Sequence, residues 1–535
     1  MEKSAIKTLL SRYAQAKTAR QAWDNTFSEV ARYVWPDACS VVRSVPDESA
    51  EGRVLTVDIS DSTAIKASVR MTSGIFGWMM PMGTKWFEFR PAKEQDANSR
   101  DVQRRLAAAS QVLHSEIWRS NFQREMFNTI RSMVVFGTGA ISVEWLDDGL
   151  LFRSYPIGNI FFEEDSKGRI DTVFRREFFT LRQMAQEFGA DMLPPDKQRR
   201  LADTPDDNAK YEVVHCVFPR TDYDITKVDA KGQRFASVWL DAEAEAVLRK
   251  GGFDSMPYRI GRFDRSPNEL MGRSPAIELL PDIKMLNSMR RTFVMSCELQ
   301  SCPALIVEDD SVIGQPSIGP GDIIVKRHGA DDPRPLQTGA NPQLTAEAIA
   351  VEREGIMQGF FMDMFDVLER YRNMTAYEVS RRIEDKQVLI APMISGLQKE
   401  MLDPLILRSL DLISSKKRLA EPVSSEDGLQ IVYQGRLSLA MSNLQASAIE
   451  LTLAKWSPYQ AMYPVLDNVN LDKSFVMSAL NAGVPADCLR SQRELEQIRQ
   501  QAQQVQQAQQ TVELAEKGSK AIRNLSGTSL EGLVL

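Results

Sequence analysis

Nowhere in the 535 residues does lysine directly follow glycine. The Gly-x-x-x-x-Gly-Lys loop that cradles nucleotide phosphates is therefore excluded, and with it an ATP-driven motor of that kind. Histidine is nearly as scarce: His114, His215 and His328 stand far apart and fit no zinc or metalloprotease spacing. No Gly-x-Ser-x-Gly elbow is present. The five cysteines (Cys39, Cys216, Cys297, Cys302 and Cys488) are odd in number and scattered, which fits a reduced compartment better than a disulfide framework. No stretch approaches the roughly eighteen apolar residues of a membrane span. The opening MEKSAIKTLLSRYAQAKTARQAW is a charged amphipathic helix pattern rather than a basic segment followed by an apolar core, so neither a signal peptide nor membrane insertion is expected. An excess of positive charge is missing too. A net charge of −7 and an isoelectric point near 5.4 argue against a general nucleic-acid binder, so any contact with DNA has to be local or weak.

What is present is ordinary globular material: 43% apolar and 26% charged residues rule against a mostly disordered chain and supply core for about two to four structural units. From about residue 3 to 35 the apolar positions Ile6, Leu9, Leu10, Tyr13, Trp23, Phe27, Val30 and Val34 recur at helical spacing, and Pro36 closes the run. A Ser60/Asp61/Ser62 capping cluster starts a helix to about Met80, followed by a turn at Pro81 and Gly83 into a short aromatic strand. Helices over about 99–119 and 121–136 lead into a region from 140 to 265 where apolar and polar residues alternate, as in ISVEW, LLFRSY, TVFRREFF, YEVVHCVFPR and FASVWL. That pattern reads as antiparallel sheet with one helical insertion near 180–202. The fold class is thus α+β, predominantly helical.

Helical periodicity returns from Ser274 to Ser301, with Pro275 in the first turn and Pro281 bending the helix soon after. Residues 302–343 form a small β-rich, proline-rich outcrop, and helix resumes from 344 to about Arg370. The two flanking helices are of like length, each roughly 40 Å at 1.5 Å per residue, and with the outcrop make an antiparallel stalk with a head. Thr375 and Glu378 fit a capping box, so the helix restarts there and residues 368–374 are a loop carrying Arg370, Arg372 and Asn373. Pro392 and Pro404 predict a bent helix or consecutive helices beyond it. LQIVYQG at 429–435 is strand-like, helices follow over about 437–457 and 471–482, and a glutamine-rich helix starts at a second capping box, Ser491 and Glu494. Its narrow stripe of Leu495, Ile498, Ala502, Val505 and Ala508 suits close packing on a neighbouring helix.

Catalytic candidates are few and each has a plainer reading. The acids of FFEED (Glu163, Glu164, Asp165) and VEDD (Glu308, Asp309, Asp310) lack the rest of a cation-binding loop and read as turn acids beside strands. Ser274 before Pro275 reads as a helix N-cap, and Cys297 and Cys302, at a helix end, as packing residues. No cofactor or metal is expected. For Arg370 and Arg372 two readings stand side by side: surface charges on a turn, with Arg370 well placed at a helix C-terminus, or a loop projecting toward a polyanion.

Seven segments, ARQAWDNTFSEVARYVWP, DSTAIKASVRMTSGIFGWMMPMGTKWFEF, SNFQREMFNTIRSMVVFGTGAISVE, YPIGNIFFEEDSKGRIDTVFRREF, GRSPAIELLPDIKMLN, NMTAYEVSRR and NAGVPADCLRS, together resemble the portal, or head–tail connector, proteins of short-tailed bacteriophages. They fall in the family's order over about residues 10–505. The resemblance implies a non-enzymatic ring of twelve copies at one capsid vertex through which double-stranded DNA is packaged and ejected. It implies a wing over 1–273, stem helices over 274–301 and 344–370, and a clip over 302–343 that meets terminase and then the tail adaptor. It further implies a tunnel loop over 368–374, more wing over 375–436, a crown over 437–490, a barrel helix over 491–517 and a tail over 518–535. Internal core proteins and the major capsid protein are the other partners it implies, and its location is the virion, reached by assembly in the host cytoplasm. Twelve copies at −7 each would make a bore that repels DNA, with local grip from a ring of Arg370 or Arg372. A packaging nuclease or ATPase, and a structural virion protein without a channel, are the alternative readings.

Overall fold

The computed structural model describes residues 3–38, 59–92 except 82, 100–301 except 205–207, 225, 228 and 229, then 305–306, 328–329, 334–335, 342–362 and 391–434 except 420 and 425–427. Beyond these it describes 451–455, 458, 470–472, 474–475, 479, 494–495 and 497–501. Two compact units, Met1–Arg436 and Leu437–Leu535, divide the chain.

Helix α1 runs unbroken from Lys3 to Val34, and its buried side chains Ile6, Leu9, Tyr13, Ala16, Arg20, Phe27 and Val34 follow the three-and-four spacing of the sequence. It stops where Pro36 begins a 3-10 turn. Helix α2 (Thr63–Met79) starts with Thr63 N–H donating to the Asp61 carboxylate (2.9 Å), so within the expected capping cluster Asp61 takes that first-turn N–H. Strand β1 (Phe87–Pro91) follows, then α3 (Arg100–Arg119) and α4 (Phe122–Phe136).

The alternating region forms two antiparallel sheets. One has three strands in the order β3-β2-β9: β2 Thr138–Leu146, β3 Gly149–Tyr155 and β9 Tyr258–Arg262. The other has five in sequence order: β4 Ile160–Glu164, β5 Ile170–Phe179, β6 Tyr211–Pro219, β7 Phe235–Asp241 and β8 Ala246–Phe253. Alternation decides what each face of the five-stranded sheet meets. Phe174, Val214, Cys216, Val238 and Leu240 face the apolar stripe of α1, while Tyr211, Val213 and Trp239 face α5 (Leu181–Phe188) and the residues beside it. The helical insertion expected near 180–202 holds two helices, α5 and α6 (Pro195–Asp203): Gly189, at φ 91°, ends the first, a 3-10 turn follows, and Pro195 begins the second.

Pro281 has a sharper effect than a bend. The helix from 274 divides into α7 (Pro275–Glu278) and α8 (Leu280–Ser301), which extends about 33 Å at 1.5 Å per residue. Helix α9 (Pro342–Gly359) ends before the expected Arg370, with Phe361 in the left-handed region at φ 55°, and is about 27 Å long. Of the outcrop, β10 (Leu305–Ile306) and β11 (Arg334–Pro335) are described, and they pair antiparallel. Residues 391–397 are helical, then a π turn over Gln398–Leu402 leads into α10 (Asp403–Ser415). Pro404 has no N–H to offer, and the Asp403 N–H reaches back to the Gln398 carbonyl, so the helix passes the proline by widening rather than breaking. The strand-like 429–435 is β12 (Leu429–Tyr433), which pairs with β1 from Phe87↔Tyr433 to Pro91↔Leu429. In the second unit, residues 451–455 and 497–501 are helical and Arg499 makes a two-pronged ion pair with Asp472.

Phe174 is fully buried between α1 and the sheet. Phe174→Ala should cost about 3–5 kcal/mol, as large-to-small changes in cores do, and is checked by denaturant unfolding followed by circular dichroism.

Candidate functional site at the roots of the paired helices

The residues singled out in the sequence, Arg370, Arg372, Asn373, Thr375 and Glu378, lie outside the described residues, as do the acids of VEDD. What is described is how the helices that lead toward them, α8 and α9, are rooted in the body.

The root of α8 is a backbone-to-backbone contact. Gly137 ends α4 in the left-handed region at φ 76°, and a Cβ on it would lie 2.1 Å from the Gly272 carbonyl oxygen; a Cβ on Gly272 would lie 2.2 Å from that of Gly137. No other residue fits at either place. Hydrogen bonds close the joint: Gly272 N–H donates to the Thr138 hydroxyl (3.0 Å) and Phe263 N–H to the Gly137 carbonyl (2.8 Å). Ser274 is the helix cap that the sequence indicated. Its hydroxyl accepts from Ile277 N–H (3.2 Å) and donates to the Val135 carbonyl (2.8 Å), so the cap also ties the helix to α4.

A polar clasp then joins α8, α9 and the start of α2. Asn287 of α8 accepts backbone N–H bonds from Ser60 (3.0 Å) and Asp61 (3.1 Å), and donates to the Ile283 carbonyl (2.8 Å). The buried Asp61 carboxylate accepts from both Thr63 N–H and the Arg353 guanidinium of α9, whose Nε lies 2.9 Å away. Burial alone would raise the Asp61 pKa, but the bonds from Thr63 and Arg353 outweigh it and hold the carboxyl below its usual range. Gly359, at the end of α9, lets the helix press on Leu279, whose Cδ1 would be 2.5 Å from any added Cβ.

A third joint lies where the chain returns. Arg262, at the end of β9, is buried and donates through Nε and Nη2 to Glu400 of the π turn (3.2 and 3.0 Å) and through Nη1 to Glu164. It borders a cavity of about 590 Å³ between the end of α9 (Gln358, Phe361) and the helix at 392–396. The acids of FFEED are thereby accounted for: Glu163 pairs with Arg12, Glu164 with Arg262 and Arg265, and Asp165 with Arg169.

Beyond these roots the helices leave the core. On α8 the buried residues are Leu280, Ile283, Leu286 and Asn287, all near its start, while Val294, Met295 and Leu299 further along are exposed; on α9 Ile349 and Ile356 are buried and Leu344, near its start, is exposed. Burial lowers the His114 pKa to about 4 despite the bond to the Phe87 carbonyl, and burial beside Arg175 and Arg249 depresses His215 well below its usual value. Among the described residues no group of His, Cys, Asp and Glu could hold a metal ion, and no helix is long and apolar enough to cross a membrane. The glycine contact and the clasp went unread in the sequence, although Gly137, Asp61, Gly272 and Asn287 all lie within segments that carried the resemblance.

Residues 6–489 match the family described as Bacteriophage head to tail connecting protein. The chain is similar to a portal protein of Salmonella phage epsilon15, 24% identical over 518 residues that cover 93% of this chain and 91% of that one. It is also similar to a probable portal protein of Bordetella phage BPP-1, 25% identical over 484 residues covering 88% and 86%.

Gly137→Ala combines an unfavourable φ with a backbone clash and should destabilise the body by roughly 2–5 kcal/mol, read as a lowered melting temperature. The Asp61 clasp makes stability pH-dependent with a fixed sign. Its folded pKa lies below the unfolded one, so its contribution is complete above the ordinary carboxylate range near 4 and is lost as pH falls through the folded value. The difference in unfolding free energy between wild type and Asp61→Asn should therefore be constant near pH 7 and shrink below about pH 4.

Proposed function

This chain belongs to the bacteriophage head to tail connecting protein family, as a phage portal protein, and from that premise we propose that twelve copies form a ring at one capsid vertex that conducts double-stranded DNA. The observation that carries the reading is the pair α8 and α9, rooted firmly at one end, with Val294, Met295 and Leu299 of α8 and Leu344 of α9 exposed beyond the buried residues. Apolar side chains on a projecting rod are favourable when the rod stands against a copy of itself. Closed cyclic symmetry then buries the same face on every subunit and leaves an axial opening.

In this ring the segment 302–343 meets terminase during packaging and the tail adaptor afterwards, and the major capsid protein and internal core proteins are the other partners. The loop over 368–374 lines the opening, Arg370, Arg372 and Asn373 touch DNA phosphates, and Thr375 and Glu378 cap the helix that follows. The protein acts as a structural component of the virion, assembled in the host cytoplasm. Its chemistry is grip without capture. Each phosphate neutralised adds affinity and salt dependence, so one ring of arginines in a chain of net charge −7 lets duplex slide where a basic bore would hold it.

Negative-stain images and native mass spectra of the purified chain should show hollow rings. Met295→Glu with Leu299→Glu, both exposed in a single copy, should leave the melting temperature within a few degrees and abolish rings; intact rings from this variant would overturn the stalk-to-stalk assembly. Replacing Arg370 and Arg372 by Ala should change DNA retention in filled heads with rings intact, and loss of the rings themselves would make those arginines structural.

A further inference from the structure

The two stalk helices each expose one charge at nearly the same height above the body. Gly359 against Leu279, and the Asp61 clasp that joins Asn287 to Arg353, set α8 and α9 side by side with their roots level. Height then follows from residue number. Arg291 stands about 16 Å beyond Leu280 and Glu347 about 18 Å from Gly359, while Met295 and Leu344 both stand about 22 Å out. Among the described residues Arg291 is the only exposed cation of α8, and Glu347 the only exposed charged residue of α9. Neither has an ion-pair partner among the described residues.

The other charges of the hairpin are engaged or set apart. Lys284 pairs with Glu29, Arg290 is half-buried with its guanidinium 5.2 Å from the Phe293 ring, and Arg353 holds Asp61. Glu352 and Glu354 are half-buried nearer the root, and Gln358 donates to Glu354. Asp282 lies at the root of α8 and Glu298 about 27 Å out, level with the uncharged start of α9 at Pro342 and Gln343. Along the side of α8 that bears Asn287, Arg291, Val294 and Glu298 follow at three-and-four spacing and are exposed, with Met295 beside them. On α9 Leu344, Glu347 and Val351 are exposed opposite the buried Ile349 and Ile356. Rotation about one axis leaves every residue at its own height, so in a closed ring level groups of neighbouring copies are the ones that meet. Here the level groups are complementary twice over, guanidinium with carboxylate and Met295 with Leu344.

We propose that α8 of each copy docks on α9 of the next, with Arg291 of one copy paired to Glu347 of the next and Met295 packed on the next copy's Leu344. The proposal rests on the ring reading above and adds its alignment. An exposed pair alone contributes little, but a charge that loses its partner inside an apolar contact is costly. Apolar stripes tolerate sliding, whereas this pair selects one alignment. It also selects against two-fold pairing: α8 on α8 at equal height sets Arg291 against Arg291, and α9 on α9 sets Glu347 against Glu347. Head-to-tail contact, which closes into rings, is what remains.

The test uses the full chain, with rings counted by native mass spectrometry and folding followed by far-UV circular dichroism. Arg291→Glu and Glu347→Arg should each lower the fraction of copies in rings at least tenfold with an unchanged spectrum. Both replacements in one chain should restore rings. Mixing the two single variants in equal amounts should restore them as well, because each offers the other the opposite charge on both faces and the two alternate around the ring. Rings from either single variant alone at the wild-type level would overturn the proposal and leave stalk-to-stalk assembly standing. Loss of rings that the mixture does not restore would also overturn it, whether or not the double variant does, since a pair within one copy gives that pattern. Absence of rings from the wild-type chain would instead sink the ring reading itself, and this contact with it.

Discussion

Guanidinium groups carried inward on long apolar stems are what join the helices of this protein to its sheets. Arg20 of α1 donates to the Ile157 carbonyl, Arg176 of β5 to the Gly158 carbonyl and Arg408 of α10 to those of Val143 and Ser255. All three are buried. Strand ends and the turns between them leave carbonyls with no ladder partner, and a buried carbonyl without a donor is costly. One arginine offers five N–H donors in a fixed fork, so a single side chain can meet several such groups at once. The same constraint makes the joints brittle, because truncating the partner of a buried cation leaves its charge unmatched.

These joints explain why the segments that carried the family resemblance look as they do. In YPIGNIFFEEDSKGRIDTVFRREF the adjacent Arg175 and Arg176 point to opposite faces of β5. Arg176 lies over Phe161 on the α1 side and bonds the turn at Gly158, while Arg175, on the other face, donates to the hydroxyl of Tyr155 at the segment's start. In ARQAWDNTFSEVARYVWP, Arg20 lies over Phe161 at 4.0 Å, and Trp23 stacks on Phe27 and receives Arg273.

Much of the fold was legible in the sequence because periodicity reports burial directly. The stripe of α1, the alternation of the sheets and the aromatic strand at Phe87 all follow from which residues must leave water. Helix breaks were read less well. Gly189 ends the first of two helices within the insertion near 180–202, and Pro404 is absorbed by a π turn, an outcome that depends on neighbouring packing rather than on the proline itself. The candidate site was legible only in part. Ser274 declared itself as a cap by its position before Pro275. Contacts between residues distant in sequence, such as Asp61 with Arg353 or Gly137 with Gly272, carry no local period, so the pattern of a single chain does not reveal them.

The pairing of β1 with β12 has a consequence for the order of events in a cell. Phe87 waits for Tyr433, which leaves the ribosome only after both stalk helices and everything between them have been made. A contact of such long sequence separation closes late and makes folding slow. His114, Trp86 and Phe122, which pack around this pair, stay partly open to water until then. Nascent chains therefore cannot close this two-stranded sheet until synthesis has passed residue 433.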